Sequence, residues 1–443
     1  MVNALPRVDR LIGRTIDNGR LCLIQPLGQG SGGVVFRAGD TTSSILAPRD
    51  YAVKCMFKAE KGTRQYQFQR REIQYHSSVS SHRNVITLHR VVEEGDYLFL
   101  VLDYCPGGDM FKFLRERPVF RRNDDLVKKV FVQLVDAVEA CHDRGVFHRD
   151  IKPENIMCNA DGTSVSLGDF GLATEHGWSK NFGAGTASFM SPECIGGGTG
   201  EGTYCTRSND IWALGVILTS MISGHNPWHR AAMTDDCFRA FVHDPTFIRN
   251  MLPISSAADG ILRRIFVRPS RRISLSKLRQ LVLDADTFFM TDDEIALATP
   301  YVQLAAASYL GSQLAFPQDS TASLGVLLNT SDHKWGAEVV EIKEAESEPA
   351  PVTVQLQSSF KSPTTRSQPA FIVLETHFEE EGHYPFVSPS PPPPPPQPIL
   401  PSFSDFIVPL SPPSKQSTSS KKLWRPQSPI RLFRRIMDKI LVD

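Results

Sequence analysis

The stretch that decides the fold is His148-Arg149-Asp150-Ile151-Lys152-Pro153-Glu154-Asn155, which is followed downstream by Asp169-Phe170-Gly171. The first segment concentrates charged and amide side chains, and the second adds one further carboxylate. Upstream of them lie a glycine-rich turn at 28–33 and a lysine, Lys54, near the end of an apolar run. A chance occurrence of all these features in this order is improbable, so we interpret them as parts of one site.

The glycine-rich turn, Gly28-Gln29-Gly30-Ser31-Gly32-Gly33, separates two predicted strands at 21–25 and 34–37. Glycine lets backbone amides approach phosphate oxygens, because no Cβ stands in the way. A dinucleotide-binding fold would begin a helix after the turn, whereas Val34-Val35-Phe36 continues as a strand, which argues against that fold. Taken alone, the turn is equally well explained as an ordinary glycine hairpin.

Lys54 lies on a third predicted strand, 51–57, and Glu72 lies on the helix predicted next, at 67–79. A lysine at a strand end is usually a solvated charge. Here the glutamate on the following helix offers it a partner. Such a pair would hold the ammonium group against nucleotide phosphates.

The order of predicted elements indicates the architecture. An apolar strand is predicted at 97–103, and after it helices dominate, at 126–144, 210–222 and 257–267. A strand-rich front half followed by a helical back half predicts two lobes of α+β class.

Together these motifs resemble, almost point by point, those of the eukaryotic serine/threonine protein kinases. The resemblance spans roughly residues 14–290. It implies a bilobal fold with a small antiparallel β-rich N-lobe carrying one long helix, about 14–104, and a large, mainly helical C-lobe, about 105–290. More narrowly, Met190-Ser-Pro-Glu-Cys-Ile195 and Asn226-Pro-Trp228 resemble a fungal group related to the negative regulator of meiosis, which acts in nutrient and growth control.

The resemblance implies transfer of the γ-phosphate of ATP to serine or threonine hydroxyls of proteins, with ATP and Mg²⁺ as cofactors. The chemistry needs alignment and charge neutralisation more than covalent help. Asp150 is the candidate base for the substrate hydroxyl, and Asn155 and Asp169 offer the hard oxygen ligands that Mg²⁺ prefers. The candidate catalytic residues are Asp150, Lys152, Lys54 and Glu72.

The same resemblance outlines the nucleotide pocket. Leu102 would stand at the back of the adenine site, and the backbone from Asp103 to Cys105 would bind adenine as the hinge. Asp109 would reach the ribose hydroxyls, although it is equally well explained as the N-cap of a helix starting at Met110. The candidate nucleotide-binding residues are Leu27, Gly28, Gly30, Gly33, Val35, Ala52, Lys54, Leu102, Asp103, Cys105 and Asp109.

Two structural contacts also follow from the resemblance. Glu193, in a Ser-Pro-Glu that replaces the usual Ala-Pro-Glu, is expected to pair with Arg272, and Asp210 is expected to bond backbone groups of the catalytic loop.

The segment 169–193 corresponds to the activation segment. Arg149 can pair with a phosphorylated residue of such a segment in this family. Ser179 is the candidate phosphosite, the alternative being that no phosphorylation is needed. Thr186 is expected to support the catalytic loop.

The composition changes near residue 290, since 11 of the 32 prolines precede it and 21 follow it. Residues 1–13 are interpreted as an N-terminal extension and 291–420 as a disordered, acidic, Pro/Ser-rich linker. The six prolines at 391–396 would dock an SH3 or WW domain or act as a stiff spacer, and the spacer is favoured.

The last segment, 421–443, is a candidate basic amphipathic helix, because apolar residues recur at helical spacing from Phe433 to Leu441. It would bind an anionic membrane surface, a calmodulin-like groove or the kinase domain itself. The alternative is a marginal helix without function.

The formal net charge of zero excludes a uniformly basic nucleic-acid binder. That zero is a cancellation: residues 1–290 carry 36 basic and 31 acidic groups, 291–420 carry 5 and 15, and 421–443 carry 7 and 2. The N-terminus lacks the apolar run of a signal peptide, and no stretch is apolar enough to span a membrane. We therefore expect a protein of the cytoplasm, the nucleus or both, with reduced cysteines. We also expect a monomer.

Three functions are compatible with these motifs. The leading hypothesis is an active, ATP-dependent protein serine/threonine kinase. A catalytically inactive scaffold on a kinase fold would be favoured if Lys54, Asp150, Asn155 or Asp169 were replaced, and all four are present. A kinase of small molecules is disfavoured by the activation segment and the helical lobe beyond it.

Overall fold

The computed structural model of the protein describes residues 5–30, 32–117, 119–196 and 202–310 of the 443. The first lobe contains β1 (Thr15–Ile16), β2 (Leu21–Gly30), β3 (Gly33–Asp40), β4 (Asp50–Phe57), β5 (Leu88–Glu94) and β6 (Tyr97–Asp103). These strands form one antiparallel sheet in the order β1-β2-β3-β4-β6-β5. The predicted strands at 21–25, 34–37, 51–57 and 97–103 all lie in it.

A single long helix, α1 (Arg64–Val79), belongs to this lobe. It begins at the N-cap Thr63, whose hydroxyl accepts a hydrogen bond from the Tyr66 amide at 3.2 Å. Its buried side chains recur three and four residues apart, so one face points inward. They are Gln69, Glu72, Tyr75, His76 and Val79. The helix therefore carries the Glu72 carboxylate to the interior.

The second lobe is mainly helical. Its longer helices are α3 (Asp124–Asp143) and α5 (Thr206–Ser223), and its shorter ones are α2 (Met110–Glu116), α4 (Pro192–Ile195), α6 (Asp236–His243), α7 (Phe247–Met251), α8 (Ser256–Ile265) and α9 (Leu275–Asp284). Two small sheets accompany them, one of β7 (Gly108–Asp109), β8 (Ile156–Cys158) and β9 (Val165–Leu167), the other of β10 (Trp178–Ser179) and β11 (Tyr204–Cys205). The predicted α+β bilobal class is confirmed.

Apolar packing fixes these helices. α3 and α5 contribute to one large buried cluster, and α5 is buried along nearly its whole length. The helix predicted at 210–222 lies within α5. Within the described residues, no helix combines the length and apolarity that crossing a bilayer requires. All eight cysteines are free thiols.

The predicted limits of the folded unit are wrong at both ends. Leu11, placed by sequence in an N-terminal extension, is 1 % exposed and belongs to the core of the first lobe. The linker predicted to be disordered from residue 291 begins with two helices, α10 (Asp292–Leu297) and α11 (Pro300–Leu310). The composition of 291–420 does not reveal them, because the prolines and acidic residues further along dominate it. The predictions for the rest of the tail lie outside the described residues.

Candidate active site

The glycine-rich turn joins β2 and β3, with Gly30 opposite Gly33 in the ladder. Gly33 has a φ of 134°, and a Cβ there would lie 2.3 Å from the Cys55 carbonyl oxygen, so only glycine fits. At Gly28 and Gly30, in contrast, a Cβ would meet nothing within 4 Å. Open space therefore lies beside the turn, where a bound group could approach its backbone.

Lys54, on β4, lies directly below this turn, since a Cβ on Gly32 would come within 3.1 Å of the lysine Nζ. Its ammonium donates to Glu72 Oε1 at 2.6 Å and to Asp169 Oδ1 at 3.1 Å. Burial alone would lower the pKa of Lys54, but the two carboxylates outweigh burial and raise it. The lysine charge in turn lowers the pKa of Asp169 to about 2. Lys54 and Asp169 are therefore both charged at neutral pH.

The catalytic loop orients Asp150 through both carboxylate oxygens. Thr186 donates to its Oδ1 at 2.8 Å, Lys152 Nζ lies 3.0 Å from its Oδ2, and the Asn155 amide donates to its backbone oxygen at 2.8 Å. The Lys152 ammonium also donates to the Thr186 hydroxyl at 2.9 Å. The expectation that Thr186 supports the catalytic loop is met by these contacts.

Asp210, which lies on α5 at 0 % exposure, fixes the backbone of the catalytic loop. Its carboxylate accepts from the backbone amides of His148 and Arg149 at 2.9 and 2.8 Å, as the sequence predicts.

The backbone of Arg149 is left-handed, with a φ of 67°, and so is that of Asp169, with a φ of 57°. A non-glycine residue in that region costs about 1–3 kcal/mol and persists only when its surroundings impose it.

A stack of rings that the sequence did not predict connects α1 to the catalytic loop. Phe170, 1 % exposed, lies 4.7 Å from the His76 ring and 5.0 Å from the His148 ring, measured between centroids. His76 Nε2 donates to the Ile86 carbonyl at 2.7 Å. The available signal was spacing, because His76 follows Glu72 by one helical turn and so shares its face.

The other nucleotide-pocket candidates lie on the neighbouring strands. Val35 pairs with Gly28 and with Lys54, and Ala52 pairs with Leu102, so these positions share the middle of the sheet. Leu102 is half-buried beside an apolar cluster, whereas Leu27 is 44 % exposed. Their contacts with adenine stay predictions.

At the hinge, the Asp103 carboxylate is engaged by its own lobe. It accepts from the Thr87 amide at 2.8 Å and lies 2.7 Å from His89 Nε2. Burial raises the pKa of this carboxyl, but the hydrogen bond from Thr87 and the neighbouring His89 bring it below its usual value. Burial and the Asp103 charge raise the pKa of the Cys105 thiol to about 11, so that thiol is protonated.

Asp109 has the capping role that the sequence allowed. Its carboxylate accepts from the Lys112 amide at 2.8 Å, at the first turn of α2. One carboxylate oxygen can cap a helix while the other faces a ligand, so the predicted ribose contact is compatible with the cap and stays a prediction.

Glu193 and Arg272 form the predicted ion pair, with Nη1 2.5 Å from Oε1 and both side chains almost fully buried. Arg272 also donates to the Ser208 and Val267 carbonyls, so its charge is well satisfied. Removing either partner of such a pair costs about 3–5 kcal/mol, which identifies the contact as a fixed point of the second lobe.

The donors and acceptors fit ATP and Mg²⁺. The ammonium of Lys54 and the open backbone of the glycine turn suit phosphate oxygens. Asp169, half-exposed and ionised, and the Asn155 amide oxygen are ligands of the kind that a hard cation takes. The residues present therefore suit a nucleotide with its metal ion.

Comparisons with known proteins agree with this geometry. A family model described as "Protein kinase domain" matches residues 22–282. The "Negative regulator of sexual conjugation and meiosis" of Schizosaccharomyces pombe is 41% identical over 61% of this chain and 61% of its own length. "Serine/threonine-protein kinase VHS1" of Saccharomyces cerevisiae is 36% identical over 49% and 50%, and "Serine/threonine-protein kinase ksp1" of S. pombe is 35% identical over 61% and 57%.

The chain thus spans less than two thirds of the length of each of these relatives. The predicted resemblance to fungal serine/threonine kinases is confirmed. Because the family model covers more than half of the sequence, the chain belongs to the protein kinase family.

Proposed function

We propose that this protein is an active serine/threonine protein kinase that transfers the γ-phosphate of ATP to hydroxyls of protein substrates. The observation that carries the proposal is that two groups of charged side chains are both fully assembled. One is the Lys54–Glu72–Asp169 triad, and the other is Asp150 with its supporting Lys152. An inactive scaffold would have no need to keep both groups in bonding contact.

The residues divide the reaction between them. Lys54, fixed by Glu72, holds the phosphates of ATP, and Lys152 neutralises charge on the group being transferred. Mg²⁺, held by Asn155 and Asp169 when bound, supplies further charge neutralisation. Asp150 accepts the proton of the substrate hydroxyl as its oxygen forms the new bond to phosphorus and the bond to ADP breaks.

The test is phosphate transfer by the purified full chain from Mg·ATP to a degenerate serine/threonine peptide array. Replacing Asp150 by Asn should lower the rate about 10²–10⁴-fold, because the general base is lost. Asp143→Asn, at an exposed aspartate on the end of α3, is the matched control and should retain activity. A folded, ATP-binding chain that transfers no phosphate would instead support the inactive scaffold.

The cellular role extends the proposal. The names of the relatives and the sequence resemblance support action in nutrient, growth or differentiation signalling in a fungus, in the cytoplasm, the nucleus or both. We propose a monomer, with a tail that meets an SH3- or WW-type domain or an anionic surface. Light scattering of the pure chain and imaging of a fluorescent fusion in fungal cells would test the oligomeric state and the compartment.

A further inference from the structure

The middle of the activation segment is tied to the chain that follows α4. Trp178 pairs with Cys205, and Ser179 pairs with Tyr204, in the two-stranded antiparallel sheet of β10 and β11. The pairing joins the segment that begins at Asp169 to the start of α5, which is itself buried. A short sheet of this kind needs support from side chains, because two strands alone are marginally stable.

Thr206 supplies that support. It is 0 % exposed, its hydroxyl donates to the His176 carbonyl at 2.8 Å, and its amide donates to the Gly177 carbonyl at 3.0 Å. Both carbonyls belong to the activation segment immediately before β10. Because the hydroxyl and the amide of buried Thr206 would be costly to leave without acceptors, the two bonds fix where the segment turns.

A second set of contacts holds the segment beyond β10. Tyr204, 1 % exposed, packs in a small apolar cluster with Met190 and Cys194, and its ring lies 5.8 Å from that of Phe182. The Gly183 amide donates to the Cys194 carbonyl at 2.8 Å. The segment is thus fixed on both sides of β10, up to the residues that lead into Thr186.

Arg149, the cation that this family can use to bind a phosphorylated activation segment, is engaged within the protein. Its Nε donates to the Leu172 carbonyl at 2.7 Å. Two hydroxyls of the segment also have backbone partners, since Thr174 accepts from the His176 amide and Ser179 from the Asn181 amide. The bond to Leu172 thus ties the Arg149 side chain to the segment without a phosphate group.

We propose that the β10–β11 pair, locked by Thr206, holds the activation segment in the arrangement that accepts substrate, so that phosphate transfer does not require phosphorylation of that segment. Thr206 is then a positioning residue, which acts through the His176 and Gly177 carbonyls and touches neither nucleotide nor substrate. The inference rests on the proposed kinase function and adds its mode of regulation.

The experiment uses the full chain after treatment with a protein phosphatase, removal of the phosphatase and mass-spectrometric proof that the activation segment is unmodified. Transfer from Mg·ATP to the degenerate peptide array is measured for this chain and for a double variant, Ser179→Ala/Ser188→Ala, which removes two serine hydroxyls of the activation segment. Both should stay within about twofold of the untreated chain, because no phosphate is needed to place the segment. A loss of about a hundredfold on dephosphorylation, reversed when the segment is rephosphorylated, would overturn the inference.

Thr206 is tested separately. Thr206→Val keeps the shape but removes the hydroxyl donor, and it should raise the peptide KM about tenfold while the ATP KM stays within about twofold. Thr206→Ser, which retains the donor, should restore the peptide KM. Equal peptide KM values for Thr206→Val and the parent chain, both folded by thermal melting, would contradict the role of Thr206.

Failure of the inference is distinguishable from failure of the proposed function. An active phosphorylated chain with an inactive dephosphorylated one removes the inference and leaves the kinase function intact. Absence of transfer from every form, phosphorylated or not, removes both.

Discussion

His76 occupies a position on α1 where its protonation state matters. Its ring is 2 % exposed, and burial lowers its pKa to about 4, with the nearby Lys54 charge adding to the effect and Asp169 opposing it. The neutral ring can lie against Phe170. A charged ring there would be desolvated next to an ammonium group, which is unfavourable.

The pH dependence of stability follows in sign. The folded-state pKa of His76 lies below the ordinary value of 6.5, so the unfolded chain takes up the proton first. Its contribution is complete above pH 6.5 and is lost as the pH falls from 6.5 towards 4. We expect the titration of His76 to lower the free energy of unfolding by roughly 2 kcal/mol between pH 7.5 and pH 5.

Urea unfolding of the parent chain and of His76→Leu at both pH values would measure this loss. The leucine variant should lose about 2 kcal/mol less unfolding free energy on acidification, because it has no ring to protonate. His243→Gln, which removes an exposed histidine, is the control and should follow the parent chain. Equal losses for all three chains would show that His76 does not titrate in this way.

Asp169 has two roles in the site, because it accepts a hydrogen bond from the Lys54 ammonium and is a proposed Mg²⁺ ligand. Asp169→Ala should abolish phosphate transfer, since the proposed Mg²⁺ ligand is gone, while the Lys54–Glu72 contact at 2.6 Å keeps the lysine in place. Folding should be largely unaffected because the carboxylate is half-exposed. Turnover with Mg·ATP by a variant whose melting temperature matches the parent would refute the assignment.

The sequence predicts the roles of some of these residues and not of others. Asp150 and Asp169 were predictable because their neighbours form a distinctive linear motif. His76 and Thr206 were not, because each acts through a partner distant in sequence, the Phe170 ring and the His176 carbonyl. No linear pattern carries a contact of that kind.

Among the elements, the β2–β3 hairpin depends on one glycine. Gly33→Ala combines a φ of 134° with a Cβ 2.3 Å from the Cys55 oxygen, and the backbone must move to accept it. We expect a loss of about 3 kcal/mol in unfolding free energy. Gly30→Ala, in open space three residues earlier, should change it by less than about 1 kcal/mol.

The comparison of these two glycine variants in urea is decisive, since they differ in local space and backbone angle but share the hairpin. Similar losses for both would mean that the constraint lies elsewhere in the turn. The motif pattern identifies both glycines, but only the structure separates the one that is obligatory for folding from the one that leaves room for a ligand.

Element prediction succeeded where periodicity was strong and failed where pairing was short. α3 begins two residues before the predicted helix and ends one residue before its predicted end, and α5 extends the predicted helix at both ends. β10 and β11 contain two residues each, and their sequence separation of more than twenty residues leaves no alternating pattern to detect. The element that carries the regulatory inference is thus one that only tertiary structure reveals.

At the scale of the whole molecule, the two helices beyond residue 290 belong to the second lobe. The Tyr309 hydroxyl donates to the Met221 carbonyl at 2.6 Å, and the Arg121 guanidinium lies 5.5 Å from the Tyr309 ring centroid. Thr299 donates to the Asn250 carbonyl at 2.7 Å, and Arg122 pairs with Asp292. Contacts on three separate segments make α10 and α11 part of the folded unit.

The composition break near residue 290 suggests that truncation at about residue 300 leaves a soluble, ATP-binding domain. The contacts of α11 shift that limit to about 310.

A chain ending at residue 310 should melt within about 2 °C of the full chain. A chain ending at 290 should melt roughly 5–15 °C lower, because the apolar cluster that includes Val302 and Ala306 is lost. Calorimetry of both chains is the measurement, with Tyr309→Phe in the longer chain as the control that removes one hydrogen bond and keeps the ring. Equal melting temperatures for the two truncated chains would show that α10 and α11 rest on the lobe without stabilising it, and the folded unit would then end where the composition changes.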